Sequence, residues 1–184
     1  EGGRETLERF TEALPLRAPK LAVIESVEAE FTAELKNYPD FRILKSKTEE
    51  FRNTLISPDI CICDDCLREL RDRNDRRYRY PFINCANCGP RFTIIKDVPY
   101  DRCKTSMSEF PMCPDCDREY HDIEDRRYHA QPDCCPVCGP QVFFLDAEGN
   151  RLEGDAIELA REYVKNGKII AVKGLGGMHL ACSC

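Results

Sequence analysis

The sequence predicts a small α+β chain in several parts. A central tandem zinc-finger module, with short hairpins and helical turns, lies between two partial α/β pieces. Three observations carry this prediction. Eight of the thirteen cysteines form four C-x-x-C pairs. These pairs belong to a segment that repeats itself. The flanks carry the apolar periodicities of helices and strands instead.

The N-terminal piece begins with a predicted helix. Leu7, Phe10 and Leu14 share one helical face, and Pro15 and Pro19 are expected to end the helix. Alternating apolar residues predict strands over 21–29 and 41–45. One helix and two strands bury too little surface for a stable domain. Residues 49–60 are predicted to be a polar connector.

The central segment is an internal duplication with an offset of fifty residues. Cys63–Cys66 and Cys85–Cys88, with eighteen residues between them, recur as Cys113–Cys116 and Cys135–Cys138. The D-R-R-Y sequence, the C-G-P sequence and the helix residues Arg-Glu recur at the same offset. Such a repeat predicts two copies of one structural unit.

The cysteine pairs predict two structural zinc sites. Zinc takes four thiolates in a tetrahedron, and each C-x-x-C turn supplies two of them. Eight cysteines close two sites and leave no position for a substrate, so the metal is not expected to be catalytic. Pairing within each repeat is favoured, and interleaved pairing across the repeats stays open. The predicted ligands are Cys63, Cys66, Cys85, Cys88, Cys113, Cys116, Cys135 and Cys138.

Other cysteines and histidines have no counterpart in the opposite repeat. Cys61, Cys103 and Cys134 are therefore expected to be spectators. His121, His129 and His179 are possible further ligands, but a surface or loop position is expected instead, since His121 and His129 replace arginines of the first repeat. A disulfide framework is disfavoured, because it usually links distant cysteines and needs an oxidising compartment.

Within each repeat, helical turns are predicted over 67–70 and 117–120. The charged stretches 72–77 and 122–127 are predicted to be solvated loops with local Asp–Arg pairs. The alternative is that their arginines pack on tyrosine or pair with zinc-bound thiolates. Strands ending in small hairpins are predicted after each C-G-P sequence. They cover residues 91–95 and 141–145, and a turn follows over 146–150.

The C-terminal piece has the pattern of an α/β domain. Asp155 is expected to cap a helix, with Glu158 three residues later, and Gly167 to end it. Residues 168–172 predict a buried strand. The glycine turn that follows, 173–177, starts with Lys173, a candidate nucleotide contact with a structural turn as the alternative.

Composition excludes some partners. Charged residues make up 33% of the chain and the net charge is −6, so attraction to nucleic acid or anionic membranes is not indicated. The sequence has no apolar run long enough to span a bilayer and no signal peptide. A reducing cytoplasm is the expected location.

The cysteine spacing, together with D-R-R-Y, C-G-P-R-F-T-I-I and P-Y-D-R, resembles that of the HypF family of [NiFe]-hydrogenase maturation carbamoyltransferases. The resemblance implies three parts. Residues 1–48 would be the C-terminal part of an acylphosphatase-like domain. Residues 58–145 would be the tandem C4 zinc fingers, and residues 153–184 would start a YrdC-like domain.

The resemblance also implies an activity for the intact protein. It would use carbamoyl phosphate and ATP to carbamoylate the C-terminal cysteine of a HypE-type partner, for synthesis of the cyanide ligand of the hydrogenase iron. The chain is then expected to be a fragment without acylphosphatase or carbamoyltransferase activity of its own. The alternative is a stand-alone zinc-stapled module that binds a protein or RNA.

Overall fold

The computed structural model describes residues 1–18, 22–39 and 56–183. The chain divides into two compact units, Glu1–Arg52 and Asn53–Cys184. The second unit carries every C-x-x-C pair. None of the described helices is both long and apolar enough to cross a membrane.

The first unit begins with helix α1, Arg4–Leu16. An Arg4–Glu8 ion pair of 2.8 Å links successive turns. The prediction that Pro15 ends the helix is wrong, because α1 includes it. A proline in the last turn removes only its own N–H donor, and that turn still closes through the 2.9 Å bond from the Arg17 amide to the Ala13 carbonyl.

The strand predicted over residues 21–29 is not formed where the structure describes it. Residues 22–29 are exposed and have no regular secondary structure. A strand needs ladder partners, and the described residues of this unit contain none. The strand predicted over 41–45, Pro19, and residues 49–55 of the connector lie outside the described residues.

The second unit contains two equivalent helices, α2 at Asp64–Arg71 and α3 at Pro114–His121. Their positions confirm the helical turns predicted in each repeat. Each helix begins directly after a cysteine, Cys63 or Cys113, which lies at the N-cap in extended conformation. The covalent spacing therefore holds one cysteine at the helix start and the next in its first turn.

The segments after the two C-G-P sequences differ. Residues 91–95 form turns instead of the predicted strand, because the Asp59 carboxylate accepts the amides of Arg91 at 2.7 Å and Thr93 at 3.2 Å. Two 3-10 helices, Arg102–Lys104 and Ser106–Glu109, follow.

After the second C-G-P sequence, a short antiparallel hairpin forms. Its strands are β1, Phe144–Leu145, and β2, Arg151–Leu152. The strand predicted over 141–145 is thus shortened to its last two residues. The predicted turn over 146–150 is confirmed: the amide of Asp146 donates to the Asn150 carbonyl at 2.9 Å.

Helix α4, Ala156–Lys165, has the predicted cap: the Asp155 carboxylate accepts the amide of Ile157 at 2.8 Å. Strands β3, Ile170–Lys173, and β4, Met178–Ala181, pair antiparallel. The prediction that β3 is buried is wrong, since most of it is exposed. A two-stranded hairpin covers neither of its own faces, so burial would need a further layer.

The core of the second unit lies around the cysteines. It has few large apolar side chains, so it is small for the length of chain that it organises. Partly buried residues such as Leu70, Phe82 and Phe110 pack against it. Its buried members are Cys66, Tyr80, Ile83, Cys85, Cys88, Ile94, Met107 and Cys134.

Candidate metal centre

The first repeat brings four cysteine sulfurs together. The Sγ atoms of Cys63 and Cys85 are 3.7 Å apart, and those of Cys85 and Cys88 are 3.8 Å apart. The Sγ atom of Cys66 lies 3.5 Å from that of Cys88. Three of the four cysteines are fully buried. Helix α2 supplies one sulfur from its first turn, and the C-A-N-C turn supplies two.

The second repeat forms the same arrangement. The Sγ–Sγ distances are 3.7 Å for Cys113–Cys135, 3.8 Å for Cys135–Cys138 and 3.6 Å for Cys116–Cys138. In each group all four sulfurs lie within 4.8 Å of one another. The structure therefore brings together all eight predicted ligands, in two groups that each belong to one repeat.

Both groups fit a zinc tetrathiolate. A tetrahedron with Zn–S bonds near 2.3 Å has sulfur–sulfur edges of about 3.8 Å. The observed distances of 3.5 to 3.8 Å match that edge. An all-sulfur donor set suits zinc better than magnesium or calcium, which prefer oxygen. Four protein ligands fill the tetrahedron, so such a site is closed to substrate.

Glycines follow each second C-x-x-C pair for two different reasons. Gly89 has φ +99°, a left-handed conformation that favours glycine. Gly139 has no such φ value, but a Cβ atom there would lie 2.2 Å from the Tyr80 hydroxyl. The turns also place amides against sulfur, with Asn87 N at 3.3 Å from the Cys85 Sγ atom.

The prediction of solvated loops between the cysteine pairs holds for residues 72–74 and 122–124, which are exposed, but not for Arg77 and Arg127 at the loop ends. Arg77 and Arg127 are only 1% and 4% exposed. The Arg76 guanidinium lies 3.3 Å from the Sγ atom of Cys116, and the Arg126 guanidinium lies 3.1 Å from that of Cys66. The alternative of arginine–thiolate pairing is thus the one observed, but each arginine contacts a cysteine of the opposite repeat.

The neighbouring arginines reinforce this crossed arrangement. Arg77 Nε donates to the carbonyl of Cys134 at 2.9 Å, and Arg127 Nε donates to the carbonyl of Asn84 at 3.1 Å. Those carbonyls occupy equivalent positions in the two repeats. Each loop therefore satisfies buried backbone acceptors of the other repeat, which would otherwise cost free energy.

Two glutamates complete the ion pairs. Glu119 accepts from Arg76 at 2.5 Å and from Arg77 at 2.6 Å. Glu69 in the first repeat pairs in the same way with Arg126 and Arg127. Burial acts to raise the pKa of a carboxyl group. The two guanidiniums outweigh it, so the pKa values of Glu69 and Glu119 lie below the ordinary range.

One buried carboxylate breaks the symmetry of the two repeats. Asp133 is fully buried, and its equivalent in the first repeat is Ile83. It accepts from Arg77 at 2.9 Å and lies 3.6 Å from Arg127. Burial raises the pKa of Asp133 to about 6, although both arginines act in the opposite direction.

The remaining candidates lie outside the two sulfur groups. Cys61 and Cys103 are exposed. Cys134 is buried, and its Sγ atom is 3.5 Å from the Tyr80 hydroxyl. The ring of His129 packs against Tyr120. None of these four residues belongs to either group of four sulfurs, although Cys134 directly precedes the ligand candidate Cys135.

Lys173 also lies apart from the sulfur groups. Its ammonium donates to the Gly174 carbonyl at 3.2 Å. Lys173 and the glycine turn line a cavity of about 560 Å³, together with apolar side chains that include Phe82 and Ile94. The structure thus places the lysine at a cavity, on an exposed turn.

Sequence reasoning missed the crossed partners of the thiolates. Glu69, Glu119, Arg76 and Arg126 are all repeated residues, and their recurrence was the available signal. A repeat shows which residues share a role, but it does not show whether the role is filled within one copy or between copies.

Comparison with protein families identifies the two repeats. The HypF finger model matches residues 62–95 and 112–145. A probable carbamoyltransferase HypF from Methanocaldococcus jannaschii is 51% identical over 186 residues, which cover 99% of this chain and 24% of the relative. The carbamoyltransferase HypF from Synechocystis is 53% identical over 94% of this chain and 23% of its own length.

Solved structures agree with these relatives. Full-length HypF in a phosphate- and nucleotide-bound form has a TM-score of 0.86 and 50% identity, over 98% of this chain. T. kodakarensis HypF has a TM-score of 0.78 and 47% identity, over 99% of this chain. This chain covers 23% of each of those structures, so it spans about a quarter of the length of the proteins that it matches.

Proposed function

The chain belongs to the HypF family, and on that premise we propose that it supplies the structural zinc module of a carbamoyltransferase. One observation carries the proposal: two closed groups of four cysteines have the sulfur–sulfur edges of a zinc tetrathiolate. The proposed ligands are Cys63, Cys66, Cys85 and Cys88 for one ion, and Cys113, Cys116, Cys135 and Cys138 for the other.

Each zinc ion would cross-link two distant turns of its repeat. The cysteines would hold the ion, and the helix starts at Cys63 and Cys113 keep the sulfurs in place. The core contains few large apolar side chains, whereas structural zinc contributes about 10–16 kcal/mol of apparent binding free energy in small domains. The metal should therefore decide whether the finger module folds.

The zinc proposal is tested by metal analysis of the purified chain. We expect two zinc ions per chain, released together with the loss of helical structure when a strong chelator is added. The chain with Cys103→Ser is the matched control, because Cys103 is exposed and lies outside both sulfur groups. Persistence of α2 and α3 without metal would contradict the proposal.

For the intact protein we propose the activity named for the relatives, carbamoyl transfer. The substrates would be carbamoyl phosphate and ATP, and the acceptor would be the C-terminal cysteine of a HypE-type partner. In this assignment residues 1–48 belong to an acylphosphatase-like domain, residues 58–145 to the zinc fingers and residues 153–184 to a YrdC-like domain. The identity of about 50% to carbamoyltransferases supports this proposal.

This activity is tested with the full-length protein that contains the chain. Mass spectrometry of the partner should show one added carbamoyl group that depends on both ATP and carbamoyl phosphate. A partner lacking its C-terminal cysteine is the control. We propose that the 184-residue polypeptide alone does not turn over carbamoyl phosphate, since its zinc sites would be closed. Turnover would contradict that assignment.

Lys173 is the proposed nucleotide contact. Its ammonium lies on an exposed glycine turn at the edge of a cavity, where a phosphate could approach. In the full-length protein, ATP should protect Lys173 from acylation, while the exposed Lys168 serves as the reference. Equal labelling with and without ATP would remove the assignment.

RNA binding is disfavoured as the alternative, although zinc fingers with arginine repeats invite it. The arginines of the D-R-R-Y sequences are paired with Glu69, Glu119 and sulfur atoms. The net charge of −6 also opposes RNA binding. A steep salt-dependent affinity for RNA would revive this alternative. We propose a cytoplasmic location, where thiols stay reduced and available for zinc.

A further inference from the structure

We propose that the two zinc sites are coupled through crossed arginines, so that metal in one site raises the affinity of the other. Arg76 and Arg126 are the residues that carry the coupling. The inference rests on the proposed function, because it concerns what this chain's residues do toward zinc ions in the two cysteine groups.

The first step is electrostatic. A zinc ion with four thiolates carries a net charge of −2 and is stabilised by hydrogen-bond donors directed at its sulfurs. Cys116 has two such donors, Arg76 at 3.3 Å and Arg77 at 3.5 Å. Cys66 has Arg126 at 3.1 Å. Each site therefore receives charged donors from the opposite repeat.

The second step is how each arginine is held. Arg76 lies ten residues after the ligand Cys66, at the end of the loop that leaves α2. Backbone bonds close this loop, from Asp72 N to the Arg68 carbonyl at 3.0 Å and from Asp75 N to the Asp72 carbonyl at 3.1 Å. Metal bound at Cys66 would fix the start of α2. Because the loop is short and closed by hydrogen bonds, fixing α2 also restrains the position of Arg76.

The third step is how the opposite repeat holds the arginine in return. Cys116 and Glu119 lie three residues apart on α3, so both face the same arginine pair. Metal at Cys116 fixes α3 and presents both acceptors, which in turn hold Arg76 in place. The same argument applies with the repeats exchanged, through Arg126, Cys66 and Glu69. Such a coupling is reciprocal by thermodynamic necessity.

Cadmium-113 NMR of the full 184-residue chain tests the direction of the coupling. Two resonances are expected, each assigned by its scalar coupling to the β-protons of its own cysteines. Arg76→Gln should shift the resonance of the Cys113–Cys138 group, not that of its own repeat, and lower zinc affinity there by about 10-fold or more. Arg76→Lys should restore part of that affinity.

Arg68→Gln is the matched control. It removes the same charge from the same repeat, but Arg68 is 70% exposed and, within the described part of the chain, its ion pair is with Asp65 on its own helix. It should leave both resonances in place. An effect of Arg76→Gln confined to its own repeat, or equal to that of Arg68→Gln, would overturn the inference. The mirror variant, Arg126→Gln, should act on the first group of cysteines.

Stepwise loading of the metal-free chain tests the coupling without a variant. Native mass spectrometry should show the one-zinc species at less than about half of the chains at half saturation, because independent equal sites give about half. Arg76→Gln with Arg126→Gln should raise that fraction. A one-zinc fraction at or above half in the unsubstituted chain would overturn the inference. A chain that never reaches two zinc ions would instead contradict the proposed function.

Discussion

The two repeats share their metal-site geometry and the crossed contacts around it, but differ in the segments that follow the second cysteine pair. The same Sγ–Sγ distances recur, 3.7 Å for Cys63–Cys85 and 3.7 Å for Cys113–Cys135. The first repeat continues into turns and 3-10 helices, whereas the second continues into the β1–β2 hairpin. Residues that hold the cysteines and cross between the repeats were duplicated together. Features that each repeat uses alone have diverged.

The strongest test of this shared geometry is the loss of one ligand. Cys66→Ser and Cys116→Ser should have equal effects, since both remove a buried sulfur from the first turn of a helix. Each variant should lose the zinc of its own group and much of the binding free energy, about 10 kcal/mol or more. Metal content and helical circular dichroism measure the effect.

A difference between the two ligand variants would break the comparison. Retention of two zinc ions by Cys66→Ser would show that α2 does not supply a ligand. Cys61→Ser is a matched control in the first repeat, because that cysteine is exposed and two residues from Cys63.

Asp133 offers the next largest effect, because it is the buried group that the first repeat lacks. Asp133→Asn removes its charge and leaves Arg77 and Arg127 with the less buried carboxylates of Glu119 and Glu69 as their ion-pair partners. Breaking a buried ion pair costs about 3–5 kcal/mol. Burial already raises the pKa of Asp133 to about 6, so losing its charge recovers part of that cost, and the free energy of unfolding should fall by about 1–3 kcal/mol. Urea unfolding of the zinc-loaded chain measures it. A loss below about 1 kcal/mol would show that Glu119 and Glu69 suffice for both arginines.

The two equivalent glycines should respond differently to alanine. Gly89→Ala places a side chain at φ +99° and 2.6 Å from the Asn84 Cβ atom, so it should destabilise by about 1–3 kcal/mol. In Gly139→Ala the new Cβ atom would instead lie 2.2 Å from the Tyr80 hydroxyl. Tyr80→Phe should therefore rescue part of the loss from Gly139→Ala and none of the loss from Gly89→Ala. Rescue of both, or of neither, in thermal unfolding would contradict these assignments.

The smallest effect is expected at another pair of equivalent positions, Arg79 and His129. Both have positive φ, of 59° and 50°. Arg79 pairs with Glu158 of α4, but both side chains are more than a third exposed. Arg79→His should therefore lower the free energy of unfolding only slightly, and added salt should shrink the difference. A large fall in the free energy of unfolding that added salt does not change, measured with urea, would show that the pair holds α4 more firmly than its exposure indicates.

The sequence predicted what covalent spacing controls. A C-x-x-C turn fixes two sulfurs and a helix start, so the predicted helical turns lie inside α2 and α3, although both helices begin three residues before them. The Asp155 cap and the 146–150 turn were predicted for the same reason. These features depend on residues within a few positions of one another.

Long-range partners explain what was missed. The alternation in residues 91–95 indicates a strand, but Asp59, more than thirty residues earlier, captures two of their amides. The D-R-R-Y arginines were predicted to be solvated, because the sequence shows aspartates beside them. It does not show that the opposite repeat packs against them. Strand β3 is apolar, which is typical of a buried strand. It is nevertheless mostly exposed, because burial depends on a further layer that covers the strand.

The crossed arginines give the finger module the contact pattern of a symmetric dimer within one polypeptide. Position 76 of one copy meets position 66 of the other, and the converse contact is also made, as at an isologous interface between identical subunits. In a true homodimer both copies would carry the same residue at every position. Fusion into one chain removes that restriction. It allows the second repeat to carry Asp133 at the position that Ile83 occupies in the first, so the module buries one carboxylate there and not two.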